Sequence, residues 1–290
     1  MLDNHDNGDA VPLVSVGVFL FNEERFVRES LTALLQQDYP NLEFIISDNC
    51  STDNTAEICR ELTAADERVR FVRQEKNIGA AANSIHVLEQ ARGRYFMWAS
   101  GHDLWSANLI TECVKALEAR PTAAIAYADS SWIGADGEAL DKLTASYDTG
   151  GMNDITRFFM TFWGNMHPIL GLIRMDYLRR VPKIHECAGT DQIVLAELAF
   201  MGEFLLIPSA HWSRRQPRDE ETHKEKLRRY TGKEFRLAGS WIDRLFPLLR
   251  LPLELTRIVL RSQLSLVERA GILFALPTCF LVRYLAGIKR

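Results

Sequence analysis

The 290-residue sequence predicts an α/β protein: a mostly parallel sheet flanked by helices over residues 13–218, followed by a helical region over 219–290. Three observations carry this reading. Between Val14 and Tyr127, short β-branched runs alternate with segments of helical period. A composition of 47% hydrophobic and 25% charged residues suffices for a full core. Beyond His223 the charge changes sign, and Leu, Pro and Arg set the character of the chain.

Taken in order, residues 1–12 read as a disordered lead-in. "LVSVGVFL" is the first strand. "EERFVRESLTALLQQ" follows as a helix, with Phe26, Ser30, Leu31, Leu34 and Leu35 on one stripe. "LEFIIS" is the second strand, and "TDNTAEICRELTAA" a helix that Ser51 or Thr52 could cap. "VRFVRQ", "GAAANSIHVLEQA", "RYFMWAS" and "NLITECVKALEA" continue the alternation, and "AAIAYADS" is a fifth strand after Pro121. The stretch 134–151 is irregular and polar. A helix near Ile155–Phe162, a strand "ILGLIR", a helix over Asp191–Met201 and a strand "EFLLIP" follow. Beyond the polar run "SRRQPRDEETHKEK" come helical stretches interrupted by Pro247, Pro252 and Pro277.

Composition excludes several classes of function. Five scattered cysteines with no Cys-x-x-Cys pair argue against a disulfide framework or a zinc cage and suit a reducing, cytoplasmic setting. The N-terminal segment does not read as a secretory signal. The net charge of −4 hides an asymmetry: Lys224–Arg290 holds 14 Lys+Arg against 5 Asp+Glu, a net +9, which leaves −13 for the rest. An acidic body argues against nucleic-acid binding. No Gly-x-Gly-x-x-Gly follows the first strand and no phosphate-binding P-loop motif occurs, so neither a dinucleotide dehydrogenase nor a P-loop enzyme is supported.

Ligands of open parallel sheets bind beyond the carboxyl ends of the strands. There this chain puts Asn22, Glu23 and Glu24, then "SDNCSTD", then "EKNIGAAAN", then "SGHD". Individually, each cluster reads equally as turn and cap chemistry. Together, four polar clusters on one edge suit hydrogen bonds to a base and ribose, with a metal ion masking phosphate charge.

The run "VSVGVFLFNEERFVRESLTALLQQDYPNLEFIISDNCSTDNT", with "EKNIGAAAN" and "ARGRYFMWASGHDLW", resembles glycosyltransferase family 2, whose members have the GT-A nucleotide-sugar-binding fold. The resemblance covers Leu13 to about Ala128 and continues weakly to Arg215. It implies inverting transfer of a sugar from a nucleoside-diphosphate donor, most often a UDP-sugar, to a hydroxyl acceptor. By that resemblance Phe19, Asn22 and Glu23 line the nucleoside pocket and Asp48 accepts a hydrogen bond from the base. Asn77, Gly79 and Asn83 pass close to the donor, and Arg73 or Lys76 adds phosphate contact. Gly79 and the family glycine Gly93 read equally as tight turns.

Where the family has an Asp-x-Asp metal motif, this chain has Ser100, Gly101 and His102, then Asp103. His102 and Asp103 are the candidate ligands of a divalent ion, manganese or magnesium, and Ser100 a contact to a ribose hydroxyl or a metal-bound water. The competing reading makes Asp103 the cap of a helix beginning near Trp105. The family's catalytic base matches Asp191 in "AGTDQIVLAELAFMG", which otherwise only favours a helix dipole. In "HWSRRQPR", Arg214 and Arg215 suit diphosphate oxygens, or a solvated basic surface. His211 is a conceivable third ligand, and His167 borders an acceptor pocket without an assigned role.

The basic, leucine-rich tail suits an anionic membrane surface, with packing onto the catalytic domain or a homodimer contact as the alternative. Ala270–Val282 is too short for a simple span. Attachment would make a lipid-linked saccharide of envelope glycan assembly an attractive acceptor, with the protein peripheral at the inner face of the plasma membrane. The runner-up function is a non-catalytic nucleotide-sugar or glycan-binding protein with an altered metal motif. A nucleotidyltransferase is less favoured, because its phosphate loop is missing.

Overall fold

The computed structural model describes residues 11–144, 146–182, 189–216 and 249–287. Most of the lead-in and the predicted helix around Trp241 lie outside these residues. Strands β1 (Val14–Leu20), β2 (Leu42–Asp48), β3 (Val69–Arg73) and β4 (Tyr95–Ala99) alternate with α1 (Val27–Leu35), α2 (Thr55–Thr63) and α3 (Ala80–Glu89). Then come β5 (Leu104–Trp105), α4 (Leu109–Ala119), β6 (Ala123–Ile133), β7 (Ala139–Leu140) and α5 (Asp154–Trp163). A 3-10 turn over His167–Leu170, β8 (Leu172–Arg174), α6 (Met175–Leu178), α7 (Thr190–Met201) and β9 (Glu203–Arg215) complete the sheet region. Two helices, α8 (Arg250–Arg261) and α9 (Leu266–Gly287), follow.

The sheet runs β3-β2-β1-β4-β8-β6-β9-β5, with β7 beside β6. β1 to β4 pair in parallel, as the alternation of strands and helices predicts. Val14, Val16, Val18 and Leu20 of β1 face one apolar layer with α1 and α4. Ile45, Phe96 and Trp98 face the other with α3 and α7. Fully buried strands of this kind read as continuous apolar runs, which is why these were the plainest in the sequence.

The second half departs from expectation in three places. β8 inserts antiparallel between β4 and β6, so the predicted fifth strand is not β4's neighbour. Of "ILGLIR" only Leu172–Arg174 is strand, because Pro168 starts a 3-10 turn that takes up Ile169 and Leu170. The strand begun by "EFLLIP" runs on to Arg215. β6 pairs with β9 through Ala128↔Ile207, then resumes at Asp129↔His211, leaving Pro208–Ala210 bulged. Proline has no N–H for the ladder and is accommodated at a bulge.

α5, α7, α8 and α9 share a third apolar cluster, including Phe158, Phe162, Ile193, Leu255, Ile258 and Ile272. The C-terminal helices are thus packed onto the sheet domain through the helix that carries Asp191.

Candidate donor site at the strand ends

The first three polar clusters are tied largely to one another. Asn22 adopts a left-handed φ of 55°, as does Cys50 at 61°. Asn22 N–H donates to Ser51 Oγ at 2.9 Å, and its Oδ1 accepts from Thr52 N–H at 2.9 Å. Glu23 N–H donates to Thr55 Oγ1 at 2.8 Å, and Asp53 accepts from Thr55 N–H and Oγ1. Helix α2 therefore starts at Thr55, and neither Ser51 nor Thr52 caps it.

Asp48 is sealed beneath this loop. It accepts from Ser51 Oγ and N–H, and Arg73 Nε lies 3.3 Å from its Oδ2. Asn83 is equally enclosed: its Oδ1 accepts from Ser47 Oγ at 2.6 Å and its Nδ2 donates to Ser47 O at 3.0 Å. Asp48 and Asn83, expected on the donor surface, instead brace the floor beneath it. Phe19 is half-buried near the end of β1. Asn77 is exposed and holds the turn into α3 by accepting from Asn49 Nδ2 and Gly79 N–H, each at 2.9 Å. Gly79 has φ +91°, with nothing near a hypothetical Cβ. Gly93 is needed for a different reason, since a Cβ there would lie 2.7 Å from Ser15 N.

The "SGHD" segment turns sharply at the end of β4. A Cβ on Gly101 would lie 2.4 Å from Leu20 Cδ2, so this loop presses closely against the end of β1 and a larger residue would displace the Leu20 side chain. That contact brings His102 Nδ1 to 3.0 Å from Glu23 Oε1. Burial alone would lower the His102 pKa, but the Glu23 hydrogen bond and the Asp103 and Glu23 charges outweigh it, and the net shift is upward. Ser100 Oγ is buried without a hydrogen-bond partner. Asp103 caps no helix: Leu104–Trp105 is strand β5, and α4 starts at Leu109 after Asn108. Its Oδ1 accepts from Arg215 N–H at 2.8 Å.

The two arginines expected at phosphate have opposite situations. Arg215 is buried and spends its guanidinium on the protein. Nε donates to His102 O at 2.9 Å, Nη1 to Ala135 O at 3.0 Å, and Nη2 to Glu29 Oε2 at 2.6 Å. It is the brace of the "SGHD" loop and has little left for a ligand. Arg214, one residue earlier and on the opposite face of β9, has no hydrogen-bond or ion-pair partner among the described residues. The β6–β9 register sets it beside Trp132, with its Cζ 4.4 Å from the ring centroid. Burial lowers its pKa, while Asp103 and Asp191 act the other way. Trp132 was not singled out in the sequence; an aromatic in the polar run "DSSWIG" at a strand's end was the available signal.

Asp191 lies in the first turn of α7, following Gly189 at φ +91°. Asp191 is exposed. Enclosure by surrounding protein pushes its carboxyl pKa up, and the Arg214 charge partly offsets this. His167 is buried between Trp132 and Trp212, and burial with the Arg214 charge drives its pKa down to about 4, so it is neutral at pH 7. His211 Nε2 is engaged with Ser131 Oγ at 2.8 Å. Arg214 thus acts electrostatically on His102, Asp103, Asp191 and His167, which marks it as the centre of the cluster.

No group of three or more His, Cys, Asp and Glu side chains converges on one point among the described residues. His102 Nε2 and Asp103 Oδ1 are 4.0 Å apart. A divalent ion here would have these two protein ligands at most. That donor set fits an ion whose remaining positions are filled by a ligand's phosphate oxygens and water.

Comparisons with known proteins agree with this geometry. TarS from S. aureus superposes with a TM-score of 0.64 at 15% identity, over 90% of this chain and 69% of that one. The mannosyltransferase PcManGT from Pyrobaculum calidifontis, in complex with GDP-Man and Mn2+, gives 0.56 at 20% identity, over 92% and 81%. At these identities the likeness establishes the GT-A-type fold alone. Among curated relatives, a Bacillus subtilis protein named for teichuronic acid biosynthesis, the glycosyltransferase TuaG, is 34% identical over 131 residues, 45% of this chain and 52% of its own. Glycosyltransferase GlyG of Streptococcus pneumoniae is 36% identical over 98 residues, 34% of this chain and 33% of its own. The matches thus span about half of the first relative and a third of the second. Glycosyl transferase family 2 matches residues 15–164, just over half of the sequence, and the chain belongs to that family.

Proposed function

We propose that the chain transfers a glycosyl group from a nucleoside-diphosphate sugar to a hydroxyl acceptor with inversion at the anomeric carbon. The observation that carries this is Arg214: a guanidinium with no hydrogen-bond or ion-pair partner among the described residues, set over Trp132, with the charges of His102, Asp103 and Asp191 acting on it or under its influence, at the carboxyl edge of a family 2 sheet. Guanidinium binds oxyanions in a fork, and stacking on indole holds that fork in place. Phe19, Asn22 and Glu23, with Asn77 and Gly79, would border the nucleoside, whereas Ser100 Oγ is buried beneath that surface.

Arg214 would bind and orient the diphosphate and stabilise the negative charge that grows on it as the glycosidic bond breaks. Asp191 would take the proton of the attacking hydroxyl, and the upward shift of its carboxyl pKa makes it a stronger base than a free carboxylate. A divalent ion, manganese or magnesium, would be held by His102 and Asp103 and, when bound, supplies further positive charge to the leaving group. The names of TuaG and TarS's complex with UDP-GlcNAc favour a UDP-sugar and an envelope glycan, and a lipid-linked saccharide acceptor is the reading that suits the basic tail.

The test is calorimetric titration with UDP, GDP and their sugar conjugates, with and without manganese, followed by product analysis for released nucleoside diphosphate. Binding of one nucleotide with turnover supports the proposal. Binding without turnover, with any acceptor supplied, would favour a nucleotide-sugar-binding protein that has lost its metal carboxylates. No binding by folded protein would overturn both.

A further inference from the structure

We infer that the outer face of α9 is a docking surface for an anionic lipid bilayer, on which the chain lies without crossing it. The inner face of α9 is already satisfied: Ile272 and Leu276 are buried against α5 and α8. On the outer face Leu266, Phe274 and Leu281 are 81%, 88% and 60% exposed, and Val267 is 82% exposed. Positions 266, 270, 274, 277, 278 and 281 follow one another at helical spacing, so these side chains form one stripe. From Ala270 to Val282 that stripe contains no charged residue, where a solvated helix would carry its charges.

No described helix is long and apolar enough to cross a membrane. An apolar face about 5–10 Å deep at the headgroup boundary is the geometry left to such a helix at a bilayer. Charge selects the occupant. The last 67 residues carry a net +9 against −13 for the remainder, so this end of the chain is drawn to an anionic surface and the body is repelled by it.

The surface is rigidly joined to the site. Arg269 donates to Leu260 O, Ser262 O and Leu264 O at 3.1, 2.7 and 2.9 Å, fixing the elbow between α8 and α9. Arg283 Nη1 donates to Phe162 O at the end of α5, and α5 packs on α7, whose first turn holds Asp191. A bilayer held by α9 would therefore lie at a set distance and orientation from Asp191. This inference stands on the surface alone and survives failure of the transfer reading.

The experiment is flotation of the full chain with vesicles of pure phosphatidylcholine and of phosphatidylcholine mixed with phosphatidylglycerol. The chain should float with the mixed vesicles, less so at high salt, and remain below with the neutral ones. The double change Phe274→Asp and Leu281→Asp should weaken flotation about a hundredfold with nucleotide binding retained. Phe274→Leu, which keeps the face apolar, should still float, so the test holds even if the aspartates impair folding. No flotation of the native chain, or undiminished flotation of a folded double variant, would overturn the proposal. So would sedimentation of the native chain as a dimer that the double variant splits, which would assign the face to a second copy.

Discussion

Glu23 Oε1 and His102 Nδ1, 79 positions apart, lie 3.0 Å from each other and couple the loop after β1 to the loop after β4. Because Glu23 engages Nδ1, the imidazole turns Nε2 toward Asp103. A carboxylate that orients a ligating histidine in this way raises its basicity and fixes its tautomer. Glu23→Gln should therefore weaken manganese binding about ten- to hundredfold with UDP affinity in the absence of metal little changed, as read by calorimetry.

The same pair has a pH consequence for stability. The folded pKa of His102 lies above its unfolded value of about 6.5. The folded state therefore holds this proton more tightly, and the contribution is fully present below pH ~6.5 and is lost as pH rises through the folded pKa. Thermal melting followed across that range should show a stability loss in the native chain that is smaller in Glu23→Gln.

Arg214 and Arg215 should separate cleanly under substitution. Arg214→Ala should lower nucleotide affinity about ten- to hundredfold, the worth of a charge-assisted hydrogen bond or two, and leave the denaturation midpoint nearly unchanged. Arg214→Lys should not restore it fully, because an ammonium has neither the fork nor the stacking plane. Arg215→Ala should cost about 2–4 kcal/mol in chemical denaturation, through the carbonyls of His102 and Ala135 left unpaired and the Glu29 partner lost.

Asp191 carries an upward-shifted pKa, so its ionised form is disfavoured by folding above the unfolded pKa of about 3.9. Asp191→Asn should raise the melting temperature at neutral pH while lowering turnover about 10²–10⁴-fold. A fall in both would mean that the carboxylate is structural.

Gly79 and Gly93 should differ in mechanism. Gly79→Ala meets open space but must hold φ 91° and ψ 154°, a backbone region almost confined to glycine, at a cost of about 1–3 kcal/mol. Gly93→Ala drives a methyl into the backbone of Ser15 and should cost about 1–3 kcal/mol through a clash rather than through backbone conformation. Denaturant midpoints of the two variants rank these effects.

Legibility in the sequence followed the source of each residue's orientation. β1 to β4 were readable because apolar runs, helical stripes and polar strand ends recur locally. Asp48 and Asn83 were read as facing the ligand, yet strand ends carry both the groups that line a cleft and the groups that brace it, and only the Ser47, Ser51 and Arg73 contacts separate the two. Arg214 and Arg215 looked equivalent for a related reason. Neighbours on a strand point to opposite faces, and which one reaches the site is decided by the pairing with β6. That pairing depends on the bulge at Pro208–Ala210; Pro208 marks the interruption of the ladder, but nothing local says in which register it resumes.

Arg215 also has a temporal meaning. Its backbone N–H closes on Asp103 across 112 residues, and its guanidinium on Glu29 across 186. During synthesis the nascent sheet of β1 to β4 emerges with its "SGHD" loop held to the loop after β1 by Glu23, and the second latch waits until the ribosome has released residue 215. The stretch that matches the family ends at residue 164, before Asp191, Arg214 and the latch itself have been made. An N-terminal fragment cut at that boundary would carry the recognisable sequence and the first polar clusters but lack Asp191, Arg214 and the Arg215 latch.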